Sequence, residues 1–489
     1  MNQQTMPEQR NPRGAVRNGG AALPISSWDS KPSFNPRDFL CALFEALESN
    51  NVRYCVLHSW EELPEKLSSD LDIAVHPDDS QKLSSAFRSL HEQGYTPVQV
   101  LNYFVGAYGF FFCWFNGLTM NTIIVDVIFE HRRGGLIVPS GDELVLGRSR
   151  HGLFWVPAPE AEFVYLLAKK TWKGRTSARQ ERRLRALVHN IGRPRAERLA
   201  SRLFLGNLSV RVVEACAKGQ LDALLAQLRS QTWQTSIARN PLKLAAYLFS
   251  DTVRRVRRYL QPTGLLVVIL GPDGAGKSTL IEHLVRTVGP AFRRHKVFHW
   301  RPMLLWRRRT TSDTTHPHGM PPHGRWWSLA RLFAHLLDYW VGFCLLIRPL
   351  LARSGLVVFD RYYYDLLADP KRYRFGGPLW LARAMGRFVP NPDLLFVLDA
   401  PVPVILSRKR EIEPDSILSQ RQGYLRLARG LSQAHVVDAE GPISCVVAQV
   451  ARIIREYLAR RFERCHADWL AMGPASLEDP SSRPAGVNP

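Results

Sequence analysis

Apolar residues recur every three or four positions in PRDFLCALFEALESNN, which sets Phe39, Leu40, Leu43, Phe44 and Leu47 on one face of a helix. The period then shortens. RYCVLH and LDIAV read as strands separated by a polar loop, a helix carrying Leu83, Phe87 and Leu90 follows, and TPVQVLNYF, FFFCWF and TIIVDVIF are three further strand-like runs. Together they predict an α/β domain over residues 37–158. From 159 to 262 the pattern turns helical and rich in arginine (FVYLLAKKTWKG, LRALVHNI, LDALLAQLRS, KLAAYLF, VRRVRRYL), which predicts a helical connector closed by the punctuating QPTG. Beyond it, LLVVIL, KVFHW, GLVVFD and DLLFVLD are short apolar runs separated by helix-length stretches. That alternation predicts a second α/β domain over 263–465, a parallel sheet flanked by helices. Residues 1–36 are polar and bear Gly and Pro, and 466–489 are rich in Pro and Ser; both read as disordered tails, and no internal repeat is visible.

Composition narrows the class. Of 489 residues, 45% are hydrophobic and 22% charged, as in folded globular proteins. A net charge of +22 comes mostly from arginines spread along the chain, which reads as solvated surface, an anionic substrate or a membrane surface. No zinc-finger, helix-turn-helix or RNP-type signature points to nucleic acid. The seven cysteines are scattered and never spaced C-x-x-C, which fits a reducing, cytoplasmic setting without disulfides or a zinc site. The most apolar segment, residues 332–351, is interrupted by His335, Asp338 and Arg348, so it is expected to be a buried helix and not a membrane span.

The chemistry begins at GPDGAGKST, residues 271–279, which fits G-x-x-x-x-G-K-[ST] between the strand LLVVIL and the helix STLIEHLVRTV. Gly271, Gly274 and Gly276 let successive N–H groups of a loop that includes Asp273 and Ala275 turn toward phosphate oxygens, and the helix N-terminus adds its positive dipole. Lys277 would then reach the β and γ phosphates, while Ser278, followed by Thr279, ligates Mg²⁺. This predicts an ATP site.

Downstream, Asp360-Arg361-Tyr362 ends the strand GLVVFD, PNPDLLFVLDAP follows at 390–401, and the basic stretch SRKREIEPDSILSQRQGYLRL comes next. With these motifs in this order, residues 264–462 resemble the thymidylate kinase family. The resemblance implies that Asp273 faces the phosphate acceptor, Arg361 clamps its phosphate, Asp360 positions magnesium or the attacking oxygen, Arg408 and Arg410 from a lid lie over the γ-phosphate, and Arg301 borders the acceptor. One segment departs from the family: where a glycine-rich R-E-P-G-G-T-like run is expected, the chain reads FHWRPMLLWRRRTTSD, matching only at Arg301 and Pro302. Thymidylate is therefore expected to be a poor acceptor. HPHGMPPH, farther along the same insert, reads as a proline-rich loop and not a metal box.

In the first domain, SSDLDIAV puts Asp70 and Asp72 on one face at the start of a strand, and Asp126 in TIIVDVIF lies on another strand that could bring it to them. Converging carboxylates would hold Mg²⁺. The spacing resembles the nucleotidyltransferase superfamily, with Ser59 at the end of its G-S pair and His58 in place of the glycine. The leading expectation is an ATP- and Mg²⁺-dependent phosphotransferase acting on a nucleoside monophosphate or another phosphorylated or sugar compound. Two other readings stay open: nucleotidyl transfer through the N-terminal carboxylates, in polysaccharide biosynthesis, and a non-catalytic ATP-binding regulator. Peripheral membrane association and a homodimer are open partner states.

Overall fold

The computed structural model describes residues 36–67, 70–130, 132–133, 136–137, 139–302, 321–408 and 414–472. Helix α1 (Pro36–Ser49) and α2 (Ser80–Glu92) cover one face of a mixed sheet built from β1 (Tyr54–Val56), β2 (Leu71–Val75), β3 (Thr96–Phe104), β4 (Ala107–Asn116) and β5 (Thr119–Ile128), in the order β1-β2-β5-β4-β3. Only β2 and β5 run parallel. Short ladders follow, β6 (Arg132–Arg133) with β7 (Leu136–Ile137) and β8 (Ser149–His151) with β9 (Phe154–Val156), around α3 (Gly141–Val145).

Strand β4 shows why FFFCWF lacks polar alternation. Phe110, Phe112 and Trp114 point toward α1 and α2, whereas Phe111 and Cys113 enter a core shared with the C-terminal domain. A strand covered on both faces has no side left for polar residues. Helices α4 (Pro159–Lys173), α5 (Ala178–Ile191), α6 (Arg193–Ala200), α7 (Leu208–Lys218) and α8 (Asp222–Arg239) pack on another part of the same sheet, next to Cys55, Ala74, Ala107 and Ile128. The arginine-rich helices thus extend the first core, and α9 (Pro241–Leu260) leads on to the second domain.

That domain is a five-stranded, wholly parallel sheet of β10 (Leu265–Leu270), β11 (Arg294–His299), β12 (Gly355–Asp360), β13 (Leu394–Asp399) and β14 (Ala434–Asp438), in the order β11-β12-β10-β13-β14. Chain direction switches sides at β10, so the crevice beyond its carboxyl end is where such a sheet binds ligand. Helices α10 (Lys277–Val288) and α17 (Ile443–Met472) cover one face, together with the N-terminal sheet residues Val98, Leu101 and Phe111. On the other face lie α11 (Arg325–Gly342), α12 (Arg348–Ala352), α13 (Tyr363–Ala368), α14 (Leu379–Gly386) and α16 (Pro414–Arg429), with α15 (Val402–Arg408) after β13.

The first domain reaches the edge of the parallel sheet where its strands begin. Gln99 donates to Ser354, which precedes β12, and Arg293, which precedes β11, lies over the Tyr103 ring at 5.0 Å. The phosphate loop leaves the opposite edge. Residues 332–351 are helical, as expected, but buried on one side only. Leu332, Leu336, Tyr339, Ile347 and Leu351 enter the core while Phe333, Leu337 and Trp340 face out, because no outer layer among the described residues covers α11.

Candidate active site

Gly271, Gly274 and Gly276 take φ of 146°, 86° and 90°, the region that a side chain disfavours. At Gly271 an added Cβ would also stand 2.9 Å from the Leu398 carbonyl oxygen on β13. The loop wraps Lys277, whose Nζ is buried and donates to the carbonyls of Gly271 and Pro272 at 2.8 Å each. Burial, reinforced by Arg361, brings its pKa down to about 8 against the pull of Asp273. Ala275 is buried beneath the loop, and Ser278 and Thr279 are exposed on the first turn of α10.

Asp360 and Arg361 follow from the register of β12 on β10, which pairs Asp360 with Ile269 just ahead of the loop. Arg361 has φ 69°, a conformation that costs a non-glycine residue on the order of 1 kcal/mol or more and is characteristic of functional sites. Its N–H is held by the Ile269 carbonyl at 3.1 Å. The buried guanidinium spans two carboxylates: it donates to Asp365 at 2.9 Å and to Asp273. Arg372 takes the second oxygen of Asp273 at 2.5 Å. Burial works against ionisation of Asp273, but Arg361, Lys277 and Arg372 hold its carboxyl well below the usual carboxylate range.

Four of the side chains that complete this network carry no motif of their own. Asp365 is fully buried and also accepts from Tyr373 at 2.6 Å and from Tyr424. Its place four residues after Arg361 on α13, inside DRYYYD, is the one sequence signal that marks it. Arg372 and Tyr373 lie on an irregular segment whose approach depends on tertiary structure. Tyr424 comes from α16, whose Arg421 is anchored bidentately to Asp399 at the end of β13, at 2.5 and 3.0 Å.

Beside the network stands an aromatic wall. Trp300, with φ 61°, stacks on Tyr373 at 4.8 Å and meets His335 edge-on at 4.7 Å, and its carbonyl accepts from Tyr339. Burial, together with Arg301 and Arg331, lowers the His335 pKa to about 3, so its ring is neutral. Arg301 donates to the buried Asp338 at 3.3 Å. Arg408 is exposed at the end of α15 near Gly276, whose added Cβ would lie 3.8 Å from its guanidinium; Arg410 falls outside the described residues.

Asp360 and Ser278 are the residues that could hold a nucleotide-bound Mg²⁺ here. Asp360 is hydrogen-bonded through one carboxylate oxygen to His299 at 3.1 Å, while the other is buried without a hydrogen-bond partner. Burial opposes the charge on Asp360, yet His299 and Lys277 keep its pKa below the ordinary value, so the open oxygen is anionic. The Ser278 hydroxyl across the loop is the second candidate donor.

The N-terminal carboxylates are arranged differently. Asp72 on β2 and Asp126 on β5 are register partners, with Asp70 just ahead of β2. Lys169 Nζ and the Tyr165 hydroxyl donate to one Asp72 oxygen at 2.7 and 3.3 Å, and His58 Nε2 lies 3.0 Å from the other. Burial opposes ionisation of Asp72, but Lys169 and His58 hold its carboxyl far below the usual range. Burial, then the charges of Asp72 and Asp70, push Asp126 up to about 7. Both Asp72 oxygens are engaged by side chains, His58 Nε2 lying also 2.7 Å from Lys169 Nζ, and among the described residues no group of three His, Cys, Asp or Glu side chains is arranged to hold a metal. In the expected Mg²⁺ site at Asp70, Asp72 and Asp126, Asp72 is held by Lys169 and His58, while one Asp126 oxygen is buried without a hydrogen-bond partner.

A phosphate loop at the switch point of a parallel sheet, with an Asp-Arg-Tyr strand end and two arginines meeting the loop at Asp273, defines a P-loop nucleoside monophosphate kinase. The chain belongs to the thymidylate kinase family through its C-terminal half. The thymidylate kinase of Xanthomonas euvesicatoria pv. vesicatoria (strain 85-10) is 32% identical over 229 residues, which cover 45% of this chain and 95% of the relative. The enzyme of Xanthomonas campestris pv. campestris (strain B100) is 31% identical over 209 residues, 41% of this chain and 88% of that one. Among solved structures, thymidylate kinase from Candida albicans aligns with a TM-score of 0.30 at 20% identity, over 40% of this chain and 93% of its own. No protein-family model matches the chain.

Proposed function

We propose that this protein transfers the γ-phosphate of ATP to the phosphate of a nucleoside monophosphate bound between Arg361, Arg372 and the Trp300–Tyr373 wall. The observation that carries the reading is the charge arrangement around Asp273. The cations that phosphoryl transfer requires converge there: Lys277 donates to loop carbonyls, and Arg361 and Arg372 share Asp273. A phosphate dianion entering beside Asp273 offers those forks more charge and bidentate geometry, so it takes over one edge of each guanidinium. Asp365, with its two tyrosine donors, keeps Arg361 in place during the exchange. Lys277 turns toward the β and γ phosphates, and Arg408 lies near enough to Gly276 to approach the same oxygens. Mg²⁺ held by Ser278 and Asp360 would neutralise charge on the nucleotide oxygens.

The flat Trp300–Tyr373 pair supports a base-bearing acceptor over a bare sugar phosphate, because aromatic faces stack on bases. Arg301 and Pro302 match the family's R-E-P-G-G-T-like run, but the sequence that follows them lacks its glycines, which supports weak use of thymidylate. The free cysteines among the described residues and the use of ATP suit a cytoplasmic enzyme. ADP release measured against a panel of nucleoside monophosphates tests the reading. Turnover that depends on one or more of them, with thymidylate among the poorer, supports it; ATP hydrolysis unchanged by every acceptor overturns it.

A further inference from the structure

Two helices, α9 and α11, present apolar stripes to solvent, the α11 stripe on the side away from His335, Asp338 and Tyr339. On α9, Leu242, Phe249, Val253, Val256 and Leu260 recur at intervals of seven, four, three and four, and all are exposed, Phe249 by 72%. Only Leu244, Tyr247 and Asp251 of that helix are buried. On α11, Trp326, Phe333, Leu337 and Trp340 follow a similar repeat, with Trp326 84% exposed. The C-terminal end of α9 meets the segment that follows α11, where Tyr259 donates to the Cys344 carbonyl at 3.2 Å and Arg348 donates to the carbonyls of Tyr259 and Leu260. Large apolar side chains aligned in this way along a helix form a surface that a soluble protein does not ordinarily leave open.

Charge selects the occupant. The only acidic residues in the two helices are Asp251 and Asp338, both buried, the first paired with Arg254 and Arg255 and the second with Arg301. Basic residues border the stripes: Lys243, Arg255 and Arg257 on α9, Arg325 and Arg331 on α11. Two such seams packed on each other would place like charges along both flanks, where a helix pair uses opposite ones. Aromatic and aliphatic side chains rimmed by Lys and Arg are instead the composition of helices that lie in the interface of an anionic bilayer.

Helix α11 and its continuation are long and apolar enough to cross a membrane, yet a crossing would break the fold. Leu332, Leu336 and Tyr339 are built into the core, and the segment feeds directly into β12, which lies between β11 and β10 in the parallel sheet. The helix can lie on a membrane and not span it.

We infer that the α9–α11 face docks this protein on anionic phospholipid membranes. The test is co-sedimentation of the full chain with vesicles of phosphatidylcholine alone or mixed with phosphatidylglycerol, with size-exclusion light scattering in parallel. The wild type is expected to partition onto the mixed vesicles, to stay in solution with the neutral ones, and to be released by high salt. Phe249→Ser with Val256→Ser, Phe333→Ser with Trp340→Ser, and Lys243→Glu with Arg257→Glu should each lower the bound fraction roughly tenfold. ATP-dependent activity in solution should be retained, since none of these residues is in the kinase site. Absence of binding, equal binding to neutral vesicles, or unchanged binding by all three variants overturns the inference. So does a dimer in solution that the apolar variants convert to monomer, which would assign the face to a second copy of the chain.

Discussion

Arg361→Lys separates geometry from charge. The native guanidinium reaches Asp365 with one terminal nitrogen at 2.9 Å and Asp273 with the other, and only 4% of the residue is exposed. Lysine keeps the positive charge but concentrates it at one point on a thinner stem, so it can serve one carboxylate well and not both. One charge-assisted hydrogen bond is lost, about 1.5–3 kcal/mol for a buried charged partner. If the acceptor phosphate takes the edge now facing Asp273, kcat/KM for the acceptor falls roughly 10- to 150-fold by the same amount of transition-state stabilisation. ATP affinity stays near the wild-type value, because Lys277 and the loop amides are untouched. Steady-state kinetics with each substrate varied in turn, alongside urea unfolding, reads both effects. A folded Arg361→Lys enzyme with acceptor kcat/KM within about twofold of wild type would show that the fork does not bind phosphate.

Lys277, with its pKa lowered to about 8, must become fully charged to hold triphosphate, so ATP binding at pH 8 should take up about half a proton, and less at pH 7 where the amine is already protonated. Calorimetry in buffers of different ionisation enthalpy measures this, and Lys277→Ala should abolish both the uptake and turnover. Tyr424→Phe removes a hydroxyl that donates to the buried Asp365 carboxylate, and should lower unfolding free energy by about 1.5–3 kcal/mol, read from denaturant curves. Asp72→Asn breaks the buried pairs with Lys169 and His58 and should destabilise the N-terminal domain by about 3–5 kcal/mol, visible as a lower Tm. Mg²⁺ binding to the chain should be the same in Asp72→Asn and wild type; loss of a binding event would restore a metal role to Asp72.

Strand and helix positions were legible wherever one period ran uninterrupted. TPVQVLNYF is β3 residue for residue, and Phe39, Leu40, Leu43, Phe44 and Leu47 are all buried. The phosphate loop and the Asp360-Arg361 pair could be located because their chemistry depends on neighbours in sequence. The partners of Arg361 were less visible, since Arg372, Tyr373 and Tyr424 reach it through turns and a separate helix that carry no periodic signal. The same limit applies to Asp72: carboxylate spacing suggested a metal, but Lys169 lies 97 residues away and cancels the charge. Residues 332–351 show the converse. Hydropathy marked the segment as apolar, but only packing reveals that one face is left uncovered.

The central claim, phosphoryl transfer from ATP to a nucleoside monophosphate at the Lys277–Asp273–Arg361 site, is tested most directly by following ³²P from γ-labelled ATP. Purified wild-type and Lys277→Ala protein would be incubated with Mg²⁺ and each nucleoside monophosphate in turn, and the products resolved by chromatography. The account predicts labelled nucleoside diphosphate from the wild type, with thymidylate a weak substrate, and none from the variant. Label found only in inorganic phosphate, or in the nucleoside diphosphate of both proteins equally, would contradict it.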